Sequence, residues 1–195
     1  MSEAEIRAAT VGELAPLTAP IELRDYDPRW PELFEREAAR VRSILGDQVR
    51  QLEHVGSTSV PGLAAKPVID MVLVLPDSSD ESTYGPALEA AGYVLRIREP
   101  EWYEHRVFKG PDTNVNLHVF TDGCVEIARM VGFRDWLRGH DDERDLYERT
   151  KRELAARDWQ FVQQYADAKT EVVEGIIARA KAAGSYGGEE VTDAQ

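Results

Sequence analysis

The sequence predicts an α/β fold of the α+β type, with a mixed β-sheet, flanking helices and a helical C-terminal part. The run at 68–75 is rich in Val, Ile and Leu, which is typical of a buried strand. Segments 105–109 and 115–120 flank a turn sequence and predict a β-hairpin. After residue 125, apolar side chains recur at helical spacing, so the last third of the chain is predicted to be helical.

The length and composition predict one domain. A chain of 195 residues with 43% hydrophobic residues can bury a sizeable core, and we place this domain at 20–184. Residues 1–19 offer little apolar surface and are predicted to form a flexible leader, either loose or with one short helix. Residues 185–195 contain two adjacent glycines and few apolar residues, which predicts a disordered tail.

The elements of the N-terminal half follow from turn and cap residues. Segment 21–24 is predicted to be a first strand. A helix is predicted to begin after Asp27, which would cap it, and to end at Gly46, because Pro28 or Pro31 suits a first helical turn. A strand at 49–55 then leads into a glycine-containing turn.

The remaining elements follow from hydrophobic periodicity and from the residues that close helices. A helix is predicted at 83–91, and a strand or an extended turn from residue 93 onward. Three helices are predicted to complete the chain, at 126–139, 141–157 and 159–183.

The charge and the cysteine count exclude several classes of function. The net charge of −13 argues against broad binding of DNA or RNA, although a local basic pocket for a small nucleotide is compatible with it. Cys124 is the only cysteine, so an internal disulfide and a cysteine zinc site are excluded. Without a signal peptide or a run long enough to cross a membrane, we expect a cytoplasmic protein with no membrane contact. The sequence leaves the oligomeric state open.

The most informative stretch places four small residues between two strands: Gly56, Ser57, Thr58 and Ser59. Glycine lets the backbone approach an anion closely, and the amides and hydroxyls supply donors for phosphate. Asp70, on the strand that follows, suits a hard cation such as Mg²⁺, which often shares oxygen ligands with a substrate phosphate. The alternative is a helix N-cap followed by a core strand with one aspartate at its rim.

This stretch resembles the signature of the GrpB family, an uncharacterised family of the polymerase-beta-like nucleotidyltransferase superfamily. The match runs from His54 through Val-Gly-Ser-Thr-Ser-Val-Pro-Gly-Leu-Ala-Ala-Lys-Pro-Val-Ile to Asp70. The resemblance implies a nucleotidyltransferase-like fold, with Gly56 and Ser57 at the phosphates of a nucleotide and Asp70 at a metal. Val72 stands where the superfamily has its second carboxylate, so the sequence departs from the usual two-metal site.

Two residues of the predicted hairpin are further candidates. His118 lies on the face of its strand opposite the apolar residues, where it can line a cleft. The resemblance implies that it lies where the superfamily has a third carboxylate, as a metal ligand or a base; a half-buried histidine bound to a neighbour is the alternative. Arg106 suits phosphate binding through its planar guanidinium, and an outward salt bridge is the alternative.

Four more residues complete the expected phosphate site: Lys66, Lys151, Tyr165 and Lys169. Tyr165 and Lys169 are four residues apart and therefore share one helix face. The resemblance extends to these helices and implies that their lysines reach a triphosphate over the cleft. The alternative is a surface lysine whose stem packs past a buried tyrosine.

The sequence leaves two main functions open. The first is a nucleotidyltransferase-like enzyme that transfers a nucleotidyl group from an NTP to an unidentified small-molecule or protein acceptor. It would use Mg²⁺ or Mn²⁺ held by Asp70 and His118, with one metal or a histidine-assisted site rather than two metals. The second is a non-catalytic module for a nucleotide or a CoA precursor, because domains resembling this family occur fused to dephospho-CoA kinase. A scaffold whose acidic face binds another protein is a weaker third possibility.

Overall fold

One mixed five-stranded sheet organises the protein, which a computed structural model describes over residues 1–185. The strands are β1 (Gln51–Val55), β2 (Ile69–Leu75), β3 (Val94–Glu99), β4 (His105–Lys109) and β5 (Val115–Thr121). Their order across the sheet is β1-β2-β5-β4-β3, with β2 and β5 parallel and the other neighbours antiparallel. This arrangement confirms the predicted α/β class and the predicted hairpin, which is formed by β4 and β5.

Within the described residues seven α-helices accompany the sheet, and four of them follow β5. They are α1 (Glu3–Ala9), α2 (Trp30–Leu45), α3 (Gly85–Ala90), α4 (Val125–Gly139), α5 (Asp141–Ala155), α6 (Val162–Asp167) and α7 (Thr170–Ala182). The predicted helices at 126–139 and 141–157 correspond to α4 and α5. The helical C-terminal part is therefore confirmed.

The single helix predicted at 159–183 is wrong, because the chain forms α6 and α7 there. The side-chain oxygen of Gln164 accepts hydrogen bonds from the amides of Gln160 and Phe161, which fixes the start of α6 at Val162. At the other end the Lys169 amide bonds to the carbonyl of Ala166, three residues back, so the last turn tightens before α7 begins.

The strand predicted at 21–24 is also wrong. Arg24 and Ala65 form an isolated antiparallel bridge and exchange two hydrogen bonds of 2.8 Å. The next hydrogen-bonded pair of such a ladder would join residue 22 to Pro67, which has no amide hydrogen. The pairing therefore stops after one bridge.

The two faces of the sheet have different roles. One face packs on α2 and α3 in the main core, where Met71, Leu73 and Leu117 are fully buried. Because side chains alternate along a strand, Asp70 and His118 lie on the opposite face. Part of that face packs on α4, and the rest borders a cavity.

A separate cluster fastens the C-terminal helices to the segment after β1. Val60 and Leu63 pack there with Tyr147 of α5 and Ile176 of α7, and Val60, Leu63 and Ile176 are completely buried. This contact holds α5 beside the Gly-Ser turn. It therefore brings residues that are far apart in the sequence to one place.

The first nineteen residues are more ordered than predicted. Ser2 and Glu5 form a capping box at the start of α1, and Ile6 is only 1% exposed, so the expectation of little buried apolar surface is wrong there. The amide of Val11 bonds to the Arg96 carbonyl of β3, and the amide of Leu17 bonds to the Gln160 carbonyl. The leader thus spans from the sheet edge to the helical part.

Two further sequence predictions concern the C-terminal tail and membrane-spanning segments. Of the predicted tail, Ser185 is described and the other residues lie outside the described range. Between residues 1 and 185, no helix combines the length and the apolar character needed to cross a bilayer.

Candidate functional site

A cavity of about 500 Å³ lies between the open face of the sheet, the leader and the C-terminal helices. It contains all the predicted site residues except Ser59 and Arg106. Those that line it are Gly56, Ser57, Thr58, Lys66, Asp70, His118, Lys151, Tyr165 and Lys169.

Gly56 is required where β1 turns into the cavity. Its φ of +67° lies in the left-handed region that favours glycine. A Cβ atom at this position would lie 2.5 Å from Oδ2 of Asp70. The glycine therefore permits both the backbone conformation and the close approach of the turn to the carboxylate.

Asp70 lies at the floor of the cavity beside the next strand. Its Oδ1 accepts a 2.6 Å hydrogen bond from Nδ2 of Asn116 and lies 3.7 Å from Nε2 of His118. Burial opposes ionisation of Asp70, but His118, Asn116 and the charge of Lys169 together lower the pKa of the carboxyl group. The lowered pKa favours the ionised form of Asp70.

Lys151 connects α5 to the Gly-Ser turn. Its Nζ donates to Oγ of Ser57 at 3.0 Å and to the carbonyl oxygen of Ala64. The residue is 2% exposed. Burial, assisted by the positive charge of Lys169, lowers the pKa of Lys151 to about 7.

Two more lysines surround the ring of Tyr165. The ammonium groups of Lys66 and Lys169 lie 5.7 and 4.7 Å from the ring centroid, which places both within cation–π range. Burial and the neighbouring Lys169 lower the pKa of Lys66 to about 8, and burial also lowers the pKa of Lys169. Tyr165 is 1% exposed, and its hydroxyl has no hydrogen-bond partner among the described residues.

Sequence reasoning missed two polar residues on β4 and β5. Lys109 donates to Oδ1 of Asn116, whose amide group in turn binds Asp70. Burial lowers the pKa of Lys109 as well. The signal was available, because Lys109 and Asn116 are direct cross-strand partners in the predicted hairpin.

The leader also contributes to the cavity, which the sequence did not suggest. Thr10, Glu13, Leu14 and Ala15 line it, and the Glu13 carbonyl accepts a hydrogen bond from Arg96. Four lysines and Arg96 therefore share a cavity whose lining acids, within the described residues, are Asp70 and Glu13. This balance favours an anionic ligand.

Arg106 and Ser59 lie outside the cavity, contrary to expectation. Arg106 is 4% exposed and donates to Glu81 at 2.5 Å and to Glu104 at 3.1 Å. Strand alternation explains this position, because Arg106 pairs with Val119 of the main core while Lys109 points the other way. Oγ of Ser59 donates a hydrogen bond to the Gly56 carbonyl and so stabilises the turn.

The described residues do not form a metal site on their own. Asp70 and His118 supply two donors, and no group of three or more His, Cys, Asp or Glu side chains in residues 1–185 is arranged to hold a metal. Mg²⁺ usually binds one or two protein carboxylates together with water and substrate phosphates. The donor set therefore fits a divalent ion only when it is shared with a bound phosphate.

Comparison with known proteins gives a consistent family assignment. A family model described as GrpB protein matches residues 20–179. A UPF0157 protein of Halalkalibacterium halodurans is 61% identical over 181 residues, which cover 93% of each chain. The crystal structure of conserved protein GrpB from Enterococcus faecalis matches with a TM-score of 0.70 and 30% identity, over 82% of this chain and 99% of that one.

A more distant relative carries a functional name. A dephospho-CoA kinase of Mycolicibacterium paratuberculosis is 29% identical over 165 residues, which cover 71% of this chain and 40% of the kinase. The similarity therefore involves less than half of that protein.

Proposed function

The chain belongs to the GrpB protein family, and we propose that it binds a nucleoside triphosphate and transfers a nucleotidyl group to an acceptor. The acceptor is a small molecule or a protein. Because the cavity is local and the chain carries a net charge of −13, the proposal does not extend to broad nucleic-acid binding. A cytoplasmic location is part of the same proposal.

The observation that carries this proposal is the convergence of lysines around the Gly-Ser turn. Lys66, Lys109, Lys151 and Lys169 line the same cavity, while Asp70 and Glu13 are its acids within the described residues. Burial lowers the pKa of each of these lysines, so an anionic ligand would supply the charge that their surroundings lack. A triphosphate is such a ligand.

The chemistry follows from positioning and charge neutralisation. An acceptor hydroxyl would attack the α-phosphorus, the bond from that phosphorus to the bridging oxygen would break, and pyrophosphate would leave. The lysines would stabilise charge on the phosphate oxygens, and the unpaired hydroxyl of Tyr165 offers one further donor. His118 lines the same cavity, and in this proposal it would receive the proton of the acceptor.

A divalent ion enters this proposal only together with the nucleotide. Mg²⁺ or Mn²⁺, when bound between Asp70 and the phosphates, would supply Lewis-acid stabilisation of phosphate charge. Asp70→Asn keeps the shape of the side chain but removes its charge, so it should reduce metal-dependent nucleotide binding. His118→Ala should reduce that binding comparably if His118 is a ligand, and less if it is a base.

A second candidate is a binding module for a CoA precursor or a nucleotide without catalysis. Two points favour it: the resemblance puts a second carboxylate at the position of Val72, which is completely buried, and part of the chain is similar to a dephospho-CoA kinase. The same lysine cavity would bind the phosphates of either ligand. The two candidates differ in whether a nucleotidyl group is transferred.

A thermal-shift screen separates these candidates. NTPs and CoA precursors are tested with and without Mg²⁺ or Mn²⁺ on the wild type and on Asp70→Asn. A ligand at 100 times its Kd stabilises by about 2.7 kcal/mol, which raises the Tm of a chain of this size by roughly 5–10 °C. Shifts by NTPs that depend on metal and on Asp70 support the enzyme. Shifts by CoA precursors alone, without metal dependence, support the binding module.

A further inference from the structure

The cavity continues along the sheet, well beyond the Gly-Ser turn. Residues of β3 and β4 line it there, and we call this part the β3–β4 end: Arg96, Ile97, Val107 and Lys109. The strand order places β5 and β4 between β2 and β3. Neighbouring strands are about 4.8 Å apart, so β3 lies roughly 14 Å from β2, which carries Asp70. The cavity therefore has space for a second group beside the phosphates.

A β-bulge directs two consecutive residues of β3 toward this end. Leu95 pairs with Phe108 and Ile97 pairs with Val107, so Arg96 is an extra residue on β3. In a regular strand neighbouring side chains point to opposite faces, and only one of Arg96 and Ile97 would border the cavity. Because a bulge changes the direction of side chains, both residues line it. The bulge thus adds a positive charge beside an apolar wall.

Two positive side chains at the β3–β4 end have only neutral hydrogen-bond partners. Arg96 donates to the Glu13 carbonyl at 3.3 Å, and Lys109 donates to Oδ1 of Asn116. Within residues 1–185 neither forms an ion pair with a carboxylate. Burial lowers the pKa of Lys109, and the nearby charge of Arg96 acts in the same direction. An anionic group bound between these two cations would stabilise both.

The leader crosses the cavity at this end. Thr10 forms an isolated bridge with Ile97, and the backbone bonds of Val11 and Leu17 hold the segment between β3 and the helical part. Leu14 lies between these bonds and lines the cavity, whose volume of about 500 Å³ is typical of a small-molecule site. The leader therefore limits the size of a ligand that binds here. Residues 1–19 precede the matched family residues, 20–179.

The proposed transfer needs its acceptor on this side of the reacting phosphorus. In phosphoryl transfer the attacking and leaving oxygens lie roughly in line, on opposite sides of the phosphorus. With the leaving pyrophosphate beside Ser57 and Lys151 and the α-phosphate near Asp70, the acceptor approaches from the side of β5, β4 and β3. The β3–β4 end lies in that direction.

We infer that the β3–β4 end binds a small molecule through a carboxylate or a similar anionic group, held by Arg96 and Lys109, with its aliphatic part beside Leu14 of the leader. The role of this molecule as the acceptor rests on the proposed function, whereas its binding does not. As the acceptor it also carries a hydroxyl, which makes it a small hydroxy acid rather than a protein. The bonds made and broken are those of the transfer described above.

Two-dimensional ¹H–¹⁵N NMR of the wild type without nucleotide tests this site and needs no variant to fold. The probe is 3-hydroxybutyrate, and its uncharged analogue butane-1,3-diol is the control for the anionic group. The acid should shift the amide signals of Leu14, Arg96 and Lys109 to saturation, and the diol should leave them unchanged. Shifts confined to the Gly-Ser turn, equal shifts with the diol, or no shifts would each overturn the inference.

A pair of arginine variants tests the charge. Arg96→Gln should weaken 3-hydroxybutyrate binding roughly tenfold, because it removes a charge-assisted hydrogen bond. Arg98→Gln removes the same charge from the same strand, but Arg98 binds Glu81 and does not line the cavity, so the affinity should stay unchanged. Equal affinity in the wild type and Arg96→Gln would contradict the assignment.

A second pair tests the leader. Leu14→Glu places a carboxylate at the β3–β4 end, where it would compete for the two cations, so 3-hydroxybutyrate should bind at least roughly tenfold more weakly. Thr18→Glu adds the same charge to an exposed leader residue outside the cavity lining and should bind like the wild type. Unchanged binding in Leu14→Glu would remove the leader from the site.

Tripolyphosphate separates the outcome from that of the proposed function. It should occupy the Gly-Ser end, so 3-hydroxybutyrate should still bind in its presence, and full competition would show one shared anion site and overturn the inference. If nucleotides do not bind, the proposed function fails while binding of the acid at Arg96 stands. If the acid does not bind, the inference fails while nucleotide affinity, measured by calorimetry, is unaffected.

Discussion

The burial of Lys151 predicts a specific dependence of stability on pH. The residue is 2% exposed, and burial together with Lys169 lowers its pKa from 10.5 to about 7. Because unfolding restores the ordinary pKa, the unfolded chain binds more protons than the folded chain within this window. The free energy of unfolding should therefore rise as pH increases from 7 toward 10.5, and the cost of the buried charge should be fully present below pH 7.

Lys151→Met isolates this contribution, since methionine is unbranched and does not titrate. One pKa unit corresponds to about 1.4 kcal/mol, so the charge of Lys151 should change the free energy of unfolding by roughly 3 kcal/mol between pH ~7 and ~9.5. Over that pH range the free energy of unfolding of the wild type should rise by this amount relative to that of Lys151→Met. Groups that do not interact with Lys151 cancel in this difference.

Urea unfolding followed by circular dichroism at several pH values measures the effect. Lys181→Met is the matched control, because Lys181 is exposed on α7 and its curve should follow the wild type. Parallel stability curves for the wild type and Lys151→Met would refute the argument. They would mean that water or a bound ion keeps the buried ammonium at an ordinary pKa.

Three other substitutions have defined outcomes. Gly56→Ala should lower the Tm and remove the nucleotide-induced thermal shift, because its Cβ would lie 2.5 Å from an oxygen of Asp70. Gly139→Ala is the control: its Cβ would meet no atom within 4 Å, so the Tm and the thermal shift should stay unchanged. Arg106→Gln should lower stability in urea but leave nucleotide affinity unchanged in calorimetry, and a loss of affinity would place Arg106 in the site after all. Ile6→Ala should loosen α1, seen as faster limited proteolysis within residues 1–19 while the sheet stays folded; an unchanged cleavage rate would show that α1 does not depend on this contact.

Local patterns predicted the sheet and much of the cavity. The apolar run that became β2 and the alternation in β5 each describe one strand, and a strand shows its two faces directly in the sequence. The Gly-Ser turn and Asp70 were selected because anion and metal chemistry restrict which residues can serve at such positions, and both line the cavity. The side of β5 that carries His118 followed from the same alternation.

The features that sequence reasoning missed depend on contacts between distant segments. Arg106 shares a strand face with Phe108, and Phe108 belongs to the main core, so the guanidinium is directed away from the cavity toward Glu81. The direction of the Arg106 side chain depends on which face of the sheet α2 covers, and the sequence of β4 alone does not show which face that is. The leader is ordered by bonds to β3 and to Gln160, and no local signal in residues 1–19 indicates those partners.

The break between α6 and α7 has a similar origin. Hydrophobic periodicity continues across it, so the sequence resembles one long helix. Gln164 closes the start of α6, and a tighter turn at Lys169 ends it. Both Tyr165 and Lys169 line the cavity. The sequence analysis grouped them because residues four apart share one helix face, although Lys169 lies beyond the end of α6.

The central claim is that the lysine-lined cavity binds the phosphates of a nucleotide. Isothermal titration calorimetry of ATP with Mg²⁺ tests it most directly, on the wild type, on Lys169→Gln and on the exposed control Lys181→Gln. A charge-assisted hydrogen bond contributes about 1.5–3 kcal/mol, so Lys169→Gln should weaken ATP binding by roughly tenfold to a hundredfold. Lys181→Gln, which removes the same charge from α7, should bind like the wild type. Equal affinity in all three proteins, or no binding by the wild type, would contradict the claim.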